Sequence, residues 1–413
     1  MLRFHPLRFN DVALLRSIEP SRLLVFLQRF DHYLHSQGFE IPEEPNLSDA
    51  QLRALVEIFH SNDGSTPAEM MEALFHISEL ADDSGMEDLL VLASKRCIEL
   101  PDGDLSPADL ALAVWLQDPD LLRRANCQRV VQRFQSFYCY MNRTLEAPLF
   151  EMPTEPTLRR IEGEIDDFNL SRRRCGGAAV WMYEFGNEVA FLIRYGGSIQ
   201  RDEVMDNDLC RPDIRRPVSY DLVVYNIDSG ELRIRADLVS ERKFYCQLFS
   251  QQLFRDPTFF EHGETFDLEA IYRLGPDIQS PGMVPGIRKI VLLEIQEVIF
   301  GERVLHITLR SDAIFEAIAE HNRQLTPTGR LHSAKFRISL ESNDEVTVTI
   351  CSGNKIRLSR QVGVSAIDQW MLHHGMRVPN HATAHLQKPS PLANHLSHPK
   401  RKSPKVSVAS RIG

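Results

Sequence analysis

Apolar and polar positions form their clearest pattern between residues 175 and 256, where they predict two β-hairpins followed by a helix. The first hairpin joins residues 178–185 to residues 188–195. Gly186-Asn187 connects them, and a two-residue link that contains glycine between aromatic and β-branched runs is a strong signal for a tight turn. We therefore expect the sheet of this protein to be built around this stretch.

The second predicted hairpin joins residues 220–226 to residues 231–238 across a turn at residues 228–230. Its second strand alternates apolar with charged side chains, as does a strand that has one buried face. Ser240 is the predicted N-cap of the helix that follows. The apolar side chains of this helix recur about four residues apart, so one of its faces is expected to pack against the sheet.

Similar elements are predicted after residue 286. Short runs of turn-forming residues separate the strands of two more hairpins. These elements are a third hairpin of residues 287–300 and 303–309, a helix of residues 313–321, a fourth hairpin of residues 334–340 and 346–351, an edge strand of residues 355–358, and a helix of residues 365–374. Hairpins that alternate with short helices are typical of an α+β domain.

The first 145 residues predict helices alone. Several helix starts carry a capping box, in which a hydroxyl side chain precedes a Glu or Gln by three residues and both bond to orphan amides. Examples are Ser48 with Gln51, Thr66 with Glu69, and Ser84 with Glu87. The last helix of this region is predicted to cover residues 120–142.

These patterns divide the chain into four parts. Residues 1–146 form the helical domain, and residues 147–174 are predicted to be a linker, because three prolines interrupt any helical pattern there. Residues 175–377 form the β-hairpin-rich domain, and residues 378–413 form a basic tail whose composition predicts disorder. The fold class is therefore α+β, with an all-helical N-terminal domain followed by a β-hairpin-rich α+β C-terminal domain.

Composition indicates a protein of a reducing compartment with no membrane span. No run approaches the roughly 18 uncharged apolar residues that a membrane helix requires. The seven cysteines are dispersed and never have C-x-x-C spacing, which argues against a disulfide framework and against a zinc ribbon. We therefore expect a cytoplasmic protein.

Charge is unevenly distributed along the chain, whose formal net charge is -10. The first 150 residues contain 13 Lys and Arg against 23 Asp and Glu, and only the region after residue 380 has a basic surplus. Proteins that bind the nucleic-acid backbone through charge usually have an excess of Lys and Arg. The folded parts are therefore poor candidates for such binding.

Two basic clusters nevertheless offer candidate contacts to nucleic acid. The tail cluster requires no pocket and would attract any anionic surface, although it would serve equally as a solubilising end. Its members are Lys400, Arg401, Lys402 and Lys405. The arginines of the helix of residues 120–142 would line a phosphate-facing surface or neutralise the acidic helices before them, and the acid surplus favours neutralisation. They are Arg123, Arg124, Arg129 and Arg133.

A metal-dependent nuclease of the restriction-endonuclease type is the main enzymatic alternative. Such a site needs an Asp on one strand and a Glu or Asp two residues before a Lys on the next, so that the carboxylates share a metal and the lysine steadies a hydroxide. Asp221 and Glu231 begin the strands of the second hairpin, but Arg233 occupies the lysine position and stays protonated. Glu241 and Lys243 have the right spacing on a helix, where positions two apart point to different sides. Surface charge is therefore the favoured interpretation of these residues.

A nucleotidyltransferase is a weaker alternative. It would use Gly197-Ser198 with Asp206 and Asp208, whose carboxylates would hold two metal ions. Residues 199–205 are too few for the intervening helix, and Asp206-Asn207-Asp208 with Glu203 is expected to form a polar loop.

Well-specified secondary structure thus coincides with a lack of Cys, His or acidic clusters at catalytic spacing. We expect a non-catalytic interaction or regulatory protein, a component of a multi-protein assembly, that needs no cofactor. Its acidic helices would attract a basic protein partner. The alternatives are a nuclease or nucleotide-processing enzyme centred on the second hairpin, and a nucleic-acid-binding protein that uses the tail and the helix of residues 120–142.

Overall fold

The computed structural model describes residues 12–60, 65–142, 150–206, 209–260, 264–322, 325, 327 and 329–378. Helices make up most of the N-terminal part, and a large antiparallel sheet occupies the rest, so the fold is α+β as predicted. Of the predicted basic tail, residue 378 is described and residues 379–413 lie outside the described residues. Along the described part of the chain, no helix combines the length and the apolar character needed to cross a membrane.

Among its described residues, the N-terminal part contains eight helices around one apolar core. Its helix starts show why the sequence folds this way. Ser106 caps helix α7 by accepting a hydrogen bond from the amide of Asp109 at 3.1 Å, and Pro107 occupies the first helical position, where no amide is needed. The helices are α1 Val12–Arg16, α2 Pro20–Gln28, α3 Asp31–Ser36, α4 Asp49–His60, α5 Ala68–Leu80, α6 Asp83–Lys95, α7 Pro107–Gln117 and α8 Pro119–Arg133.

Helix α8 ends earlier than the sequence pattern predicted. It stops at Arg133, Phe134 is extended, and Ser136–Met141 forms strand β1 instead of the last turns of the helix. The reason is tertiary: Phe137 and Cys139 enter the core on one face of the sheet, and Tyr140 enters the core on the other face. A run of alternating aromatic residues between two sheet partners gains more burial as a strand than as a helix.

The main sheet has ten strands, all paired antiparallel, in the order β2-β3-β6-β7-β1-β12-β11-β10-β8-β9. Strand β1 joins its two halves, because it pairs with β7 on one side and β12 on the other. The remaining strands of this sheet are β2 Ala179–Phe185, β3 Glu188–Gly196, β6 Val218–Asn226, β7 Glu231–Arg235, β8 Ile287–Ile299, β9 Leu305–Arg310, β10 Arg330–Leu340, β11 Glu345–Cys351 and β12 Lys355–Leu358.

The four predicted hairpins are present, although one predicted strand has a different position. Gly186 has a φ of +57°, which glycine adopts without strain, and Gly186-Asn187 closes the first hairpin as expected. Residues 355–358, predicted to be an edge strand, instead pair on both sides, with β11 and with β1. The second partner of this strand, β1, lies more than 200 residues earlier in the chain, so local sequence does not reveal it.

Helices cover both faces of the half of the sheet that contains β2, β3, β6 and β7. Helices α9 Glu155–Ser171 and α10 Val239–Phe254 pack on what we call the first face, around Phe191, Val223 and Ile234. On the second face, α8 packs against β3, and the apolar core of this face continues into the other half of the sheet, where three C-terminal helices contribute to it. These helices are α11 Ala270–Leu274, α12 Ile314–Glu320 and α13 Val364–His373, and α12 lies against β8.

Helix α9 corrects the prediction of a structureless linker. Pro156 lies in its first turn, where proline is favoured and does not break a helix. Acidic side chains of α9 accept hydrogen bonds from backbone amides at the neighbouring edge of the sheet, in and just before β2. Asp166 accepts hydrogen bonds from the amides of Gly177 at 3.1 Å and Ala178 at 2.8 Å, and Glu162 accepts one from Val180 at 2.8 Å.

Helix α10 begins one residue before the predicted cap. Leu238 is the N-cap, and the Glu241 carboxylate accepts a hydrogen bond from the Leu238 amide at 3.0 Å. Ser240 lies in the first turn, and its hydroxyl oxygen accepts a hydrogen bond from Arg172 at 2.8 Å.

Within the described ranges, a second sheet consists of the two strands β4 Gln200–Asp206 and β5 Leu209–Arg215. We call this hairpin the arm. It leaves the main sheet between β3 and β6, and the Gly197 amide bonds to the Pro217 carbonyl at 2.8 Å at its base. Glu203 and Asp206, predicted to belong to a polar loop, therefore lie in strand β4, whereas residues 207–208 lie outside the described residues.

Candidate functional site

The proposed nuclease carboxylates have structural partners, beginning with Asp221. Its side chain is 1% exposed and lies between β6 and α10. It accepts a hydrogen bond from the Tyr245 hydroxyl at 3.0 Å and lies 3.3 Å from the Arg235 guanidinium. Burial, reinforced by the negative charge of Glu241, raises the pKa of Asp221 to about 7. This carboxyl group is enclosed, so Asp221 is not the surface charge that the sequence analysis favoured.

Glu241 lies close enough to Asp221 for their charges to interact, so the structure brings these two residues together. The Glu241 carboxylate caps α10 and pairs with Arg174 at 2.7 Å. Lys243 is exposed on the same helix, on a different side from the buried Glu241. The spacing argument from the sequence therefore describes this helix correctly.

Glu231 belongs to a different cluster. It is buried and forms an ion pair with Arg377, whose guanidinium also contacts Asp368 at 2.6 Å. Burial acts to raise the pKa of Glu231, but the charges of Arg377 and Arg233 outweigh burial and lower it. Glu231 also interacts with Cys139 of the second-face core, whereas Asp221 contacts Tyr245 of the first-face core.

These positions bear directly on the nuclease alternative. Asp221 and Glu241 meet on the first face, and Glu231 lies with the residues of the second face. Within the described ranges, no group of three or more His, Cys, Asp or Glu side chains is arranged to hold a metal ion. The carboxylates that share a region are engaged by arginine and tyrosine side chains and by a helix end.

Three of the four arginines proposed for nucleic-acid contact pair with acidic groups. Arg129 contacts Asp82 at 2.8 Å and Arg133 contacts Glu79 at 2.6 Å, which ties α8 to α5 and α6. Arg123 lies 3.5 Å from Asp120 on its own helix. Arg124 is exposed. This pairing supports charge neutralisation as the role of this helix face, and Lys400, Arg401, Lys402 and Lys405 lie outside the described residues.

A cavity of about 770 Å³ opens on the second face of the sheet. Its floor is apolar, formed by residues of β1, β3 and β6 that include Phe137, Ala190 and Leu222, and the end of α8 forms one wall. The residues between β12 and α13 form another wall. The ion pair between Arg233 and Glu188 lines it, and Asn226 donates a hydrogen bond to Glu188 at 3.2 Å.

The chemistry of this cavity suits holding a molecule better than transferring a proton. It combines an apolar floor with a buried ion pair and side-chain amides, a mixture that is common in ligand pockets. Burial acts to lower the pKa of Arg233, but Glu188 and Glu231 outweigh it, so this pKa is raised and the side chain stays charged. Asp221, whose pKa of about 7 would suit proton transfer, does not line the cavity.

One side of the arm exposes large apolar side chains beside charged ones. Met205 is 71% exposed and Ile214 is 68% exposed. Their positions in the two strands place them on the same side of the hairpin, because Met205 pairs with Cys210 and Ile214 pairs with Arg201. Cys210 and Pro212 on this side are also exposed, and so are Arg201 and Glu203, which form an ion pair there at 3.3 Å. Ion pairs on the arm link Arg215 to Asp202 at 2.9 Å and to Asp213 at 3.6 Å.

Sequence reasoning missed the cavity and the arm for different reasons. The cavity is formed by segments far apart in the chain, so no local sequence pattern indicates it. The arm did leave a signal: residues 200–206 and 209–215 flank Asn207-Asp208, a pair of turn-forming residues. The density of charged residues concealed the two strands.

Comparison with known proteins does not assign this chain to a family. No protein-family model matches this chain, and no curated protein is similar to it at a significant level.

Proposed function

We propose that this chain is a non-catalytic interaction protein of the cytoplasm, and that its arm docks onto a partner protein within a multi-protein assembly. The observation that carries the proposal is the exposure of Met205 and Ile214, 71% and 68% exposed on the side of the arm that also carries the Arg201–Glu203 ion pair. An isolated two-stranded hairpin is marginally stable in water, and burial of these two apolar side chains against another surface would stabilise it.

The carboxylates of the nuclease alternative support the same reading. Glu231 and Glu241 each form an ion pair with an arginine, and Asp221 is hydrogen-bonded to Tyr245. Buried carboxylates with such partners contribute to the fold by keeping their charges paired. The acid surplus of the N-terminal helices would attract a basic partner and speed the encounter.

Affinity purification of the tagged full chain tests the proposal. We expect a stoichiometric protein partner that survives nuclease treatment, and we expect Met205→Asp with Ile214→Asp to reduce its recovery at least tenfold. Met283→Asp is the matched control, since Met283 is 95% exposed and lies outside the arm. Circular dichroism checks that all variants fold.

Three outcomes would contradict the proposal. Recovery of the partner by the arm variant would exclude the arm as the docking surface. Co-purification of nucleic acid alone, lost on nuclease treatment or on deletion of residues 381–413, would favour the nucleic-acid alternative. Metal-dependent hydrolysis of nucleic acid that Asp221→Asn abolishes would favour the nuclease.

A further inference from the structure

The two edges of the ten-stranded sheet differ in how they are protected. At one edge, Asp166 and Glu162 of α9 accept hydrogen bonds from amides in and just before β2. At the other edge lies β9, which pairs with β8, and among the described residues no strand pairs with its other side. An unpaired edge presents a row of backbone donors and acceptors that can bond to another strand.

Strand β9 also lacks the features that usually prevent edge pairing. Its sequence is Leu-His-Ile-Thr-Leu-Arg, with no proline or lysine and one charged residue at its end. Its pairing with β8 is regular, without a bulge. Leu305 is 55% exposed and Leu309 is 39% exposed, and the preceding Val304 is 56% exposed. Natural sheets normally place charges, prolines or bulges at such an edge.

The arrangement of side chains on β9 matches a second copy of itself. In an antiparallel pair centred on Ile307, Ile307 faces its own counterpart and Leu305 faces Leu309 of the other copy. All three side chains lie on one side of the strand, so the pairing forms a continuous apolar stripe. His306 faces Thr308 and Arg310 faces Val304, so no like charges oppose each other within the strands.

We propose that β9 pairs antiparallel with β9 of a second copy, which joins the two ten-stranded sheets into one continuous sheet across a two-fold axis. Such an interface is isologous, because each copy contributes the same surface. Main-chain hydrogen bonds provide the attraction, and the apolar stripe fixes the register. This inference is independent of the arm and of its partner.

Cysteine cross-linking of the full chain tests both the contact and its register. In a background with Cys97→Ser and Cys210→Ser, which removes the two exposed thiols, Ile307→Cys is expected to form a disulfide-linked dimer under mild oxidation. His306→Cys alone is the matched control, since the two His306 positions are displaced along the strands beyond the roughly 7 Å that a disulfide spans. His306→Cys combined with Thr308→Cys is expected to restore the cross-link.

Light scattering after size-exclusion chromatography gives the second readout. We expect a dimer for the wild type and at least a tenfold weaker association for Ile307→Lys, which places two lysines face to face. A monomer at all concentrations, a dimer unaffected by Ile307→Lys, or equal cross-linking by Ile307→Cys and His306→Cys would overturn the proposal. A monomer whose β9 amides resist hydrogen exchange would show that another segment of this chain covers the edge, and would overturn it as well.

Discussion

Asp221 illustrates how a single enclosed carboxyl group couples this fold to pH. In the unfolded chain its pKa is near the ordinary value of 3.8, and in the folded protein burial and then Glu241 raise the pKa to about 7. The folded protein therefore binds this proton more tightly than the unfolded chain does. The resulting stabilisation is complete below the unfolded pKa and is lost as the pH rises through the folded pKa.

We expect Asp221→Asn to remove this dependence. The amide oxygen can still accept a hydrogen bond from Tyr245, and it does not ionise. The wild type should lose stability relative to the variant as the pH rises. The free energy of unfolding of the variant minus that of the wild type should increase by up to about 1.4 kcal/mol for each unit of pH between 4 and 7, and this difference should level off above pH 7. Denaturant unfolding across this range measures it.

Asp237→Asn is the control for this prediction. Asp237 also contacts Arg235, at 3.2 Å, but its side chain is 82% exposed. Its variant shows whether the loss of a carboxylate beside Arg235 is enough to change the pH profile. Equal pH profiles for Asp221→Asn and the wild type would show that Asp221 ionises normally in the folded protein.

Among the secondary-structure elements, helix α9 has an unexpected role at the edge of the sheet. The sequence shows its acidic cluster but not its purpose, because the amides that Asp166 and Glu162 bind belong to a different element. The helix replaces the neighbouring strand that β2 lacks on that side. Side-chain acceptors on a helix can thus satisfy amides that a further strand would otherwise bind.

Asp166→Ala is expected to loosen this edge. The change leaves the amides of Gly177 and Ala178 without their carboxylate acceptor, and the loss of a charge-assisted hydrogen bond typically costs about 1.5 to 3 kcal/mol. Hydrogen exchange of residues 175–182 should accelerate and the unfolding midpoint should fall. Asp167→Ala, on an exposed position of the same helix, should change neither.

Local patterns predicted the hairpins and misjudged the elements that depend on distant partners. The first hairpin has its own turn signal at Gly186-Asn187, and its two strands pair with each other. The local sequence is therefore sufficient to predict this hairpin. Strand β1 is different, since Tyr138 pairs with Ile234 and Lys355, and both partners come much later in the chain. The same limit applies to the site: Asp221 and Glu241 were identified as candidates, but their burial and arginine partners depend on packing.

At the scale of the whole molecule, α8 and β1 link the helical part to the sheet. Leu121 and Leu122 of α8 lie in the helical core, whereas Val130 and Val131 of the same helix lie in the second-face core. Strand β1 then enters the centre of the sheet. A boundary near residue 146, as the composition indicates, would assign the central strand and most of the sheet to different domains.

Two fragments test this linkage. We expect residues 118–413, which keep α8 and β1, to unfold cooperatively when heated. Residues 147–413 lack the strand that joins β7 to β12, and we expect this fragment to lose cooperative unfolding and to expose apolar surface. Circular dichroism melts and binding of a hydrophobic dye distinguish the two, and a cooperative melt of the shorter fragment would refute the expectation.

The central place of β1 has a consequence for how the protein is made. Its residues leave the ribosome long before those of β12. Ser136 cannot pair with Arg357 until β12 has been made, so the backbone groups on that side of β1 lack their strand partner until then. During synthesis the aromatic residues of β1 would be exposed to the cellular environment while the helices before them have already folded. The last native pairing of β1 would therefore form only when nearly the whole chain had emerged.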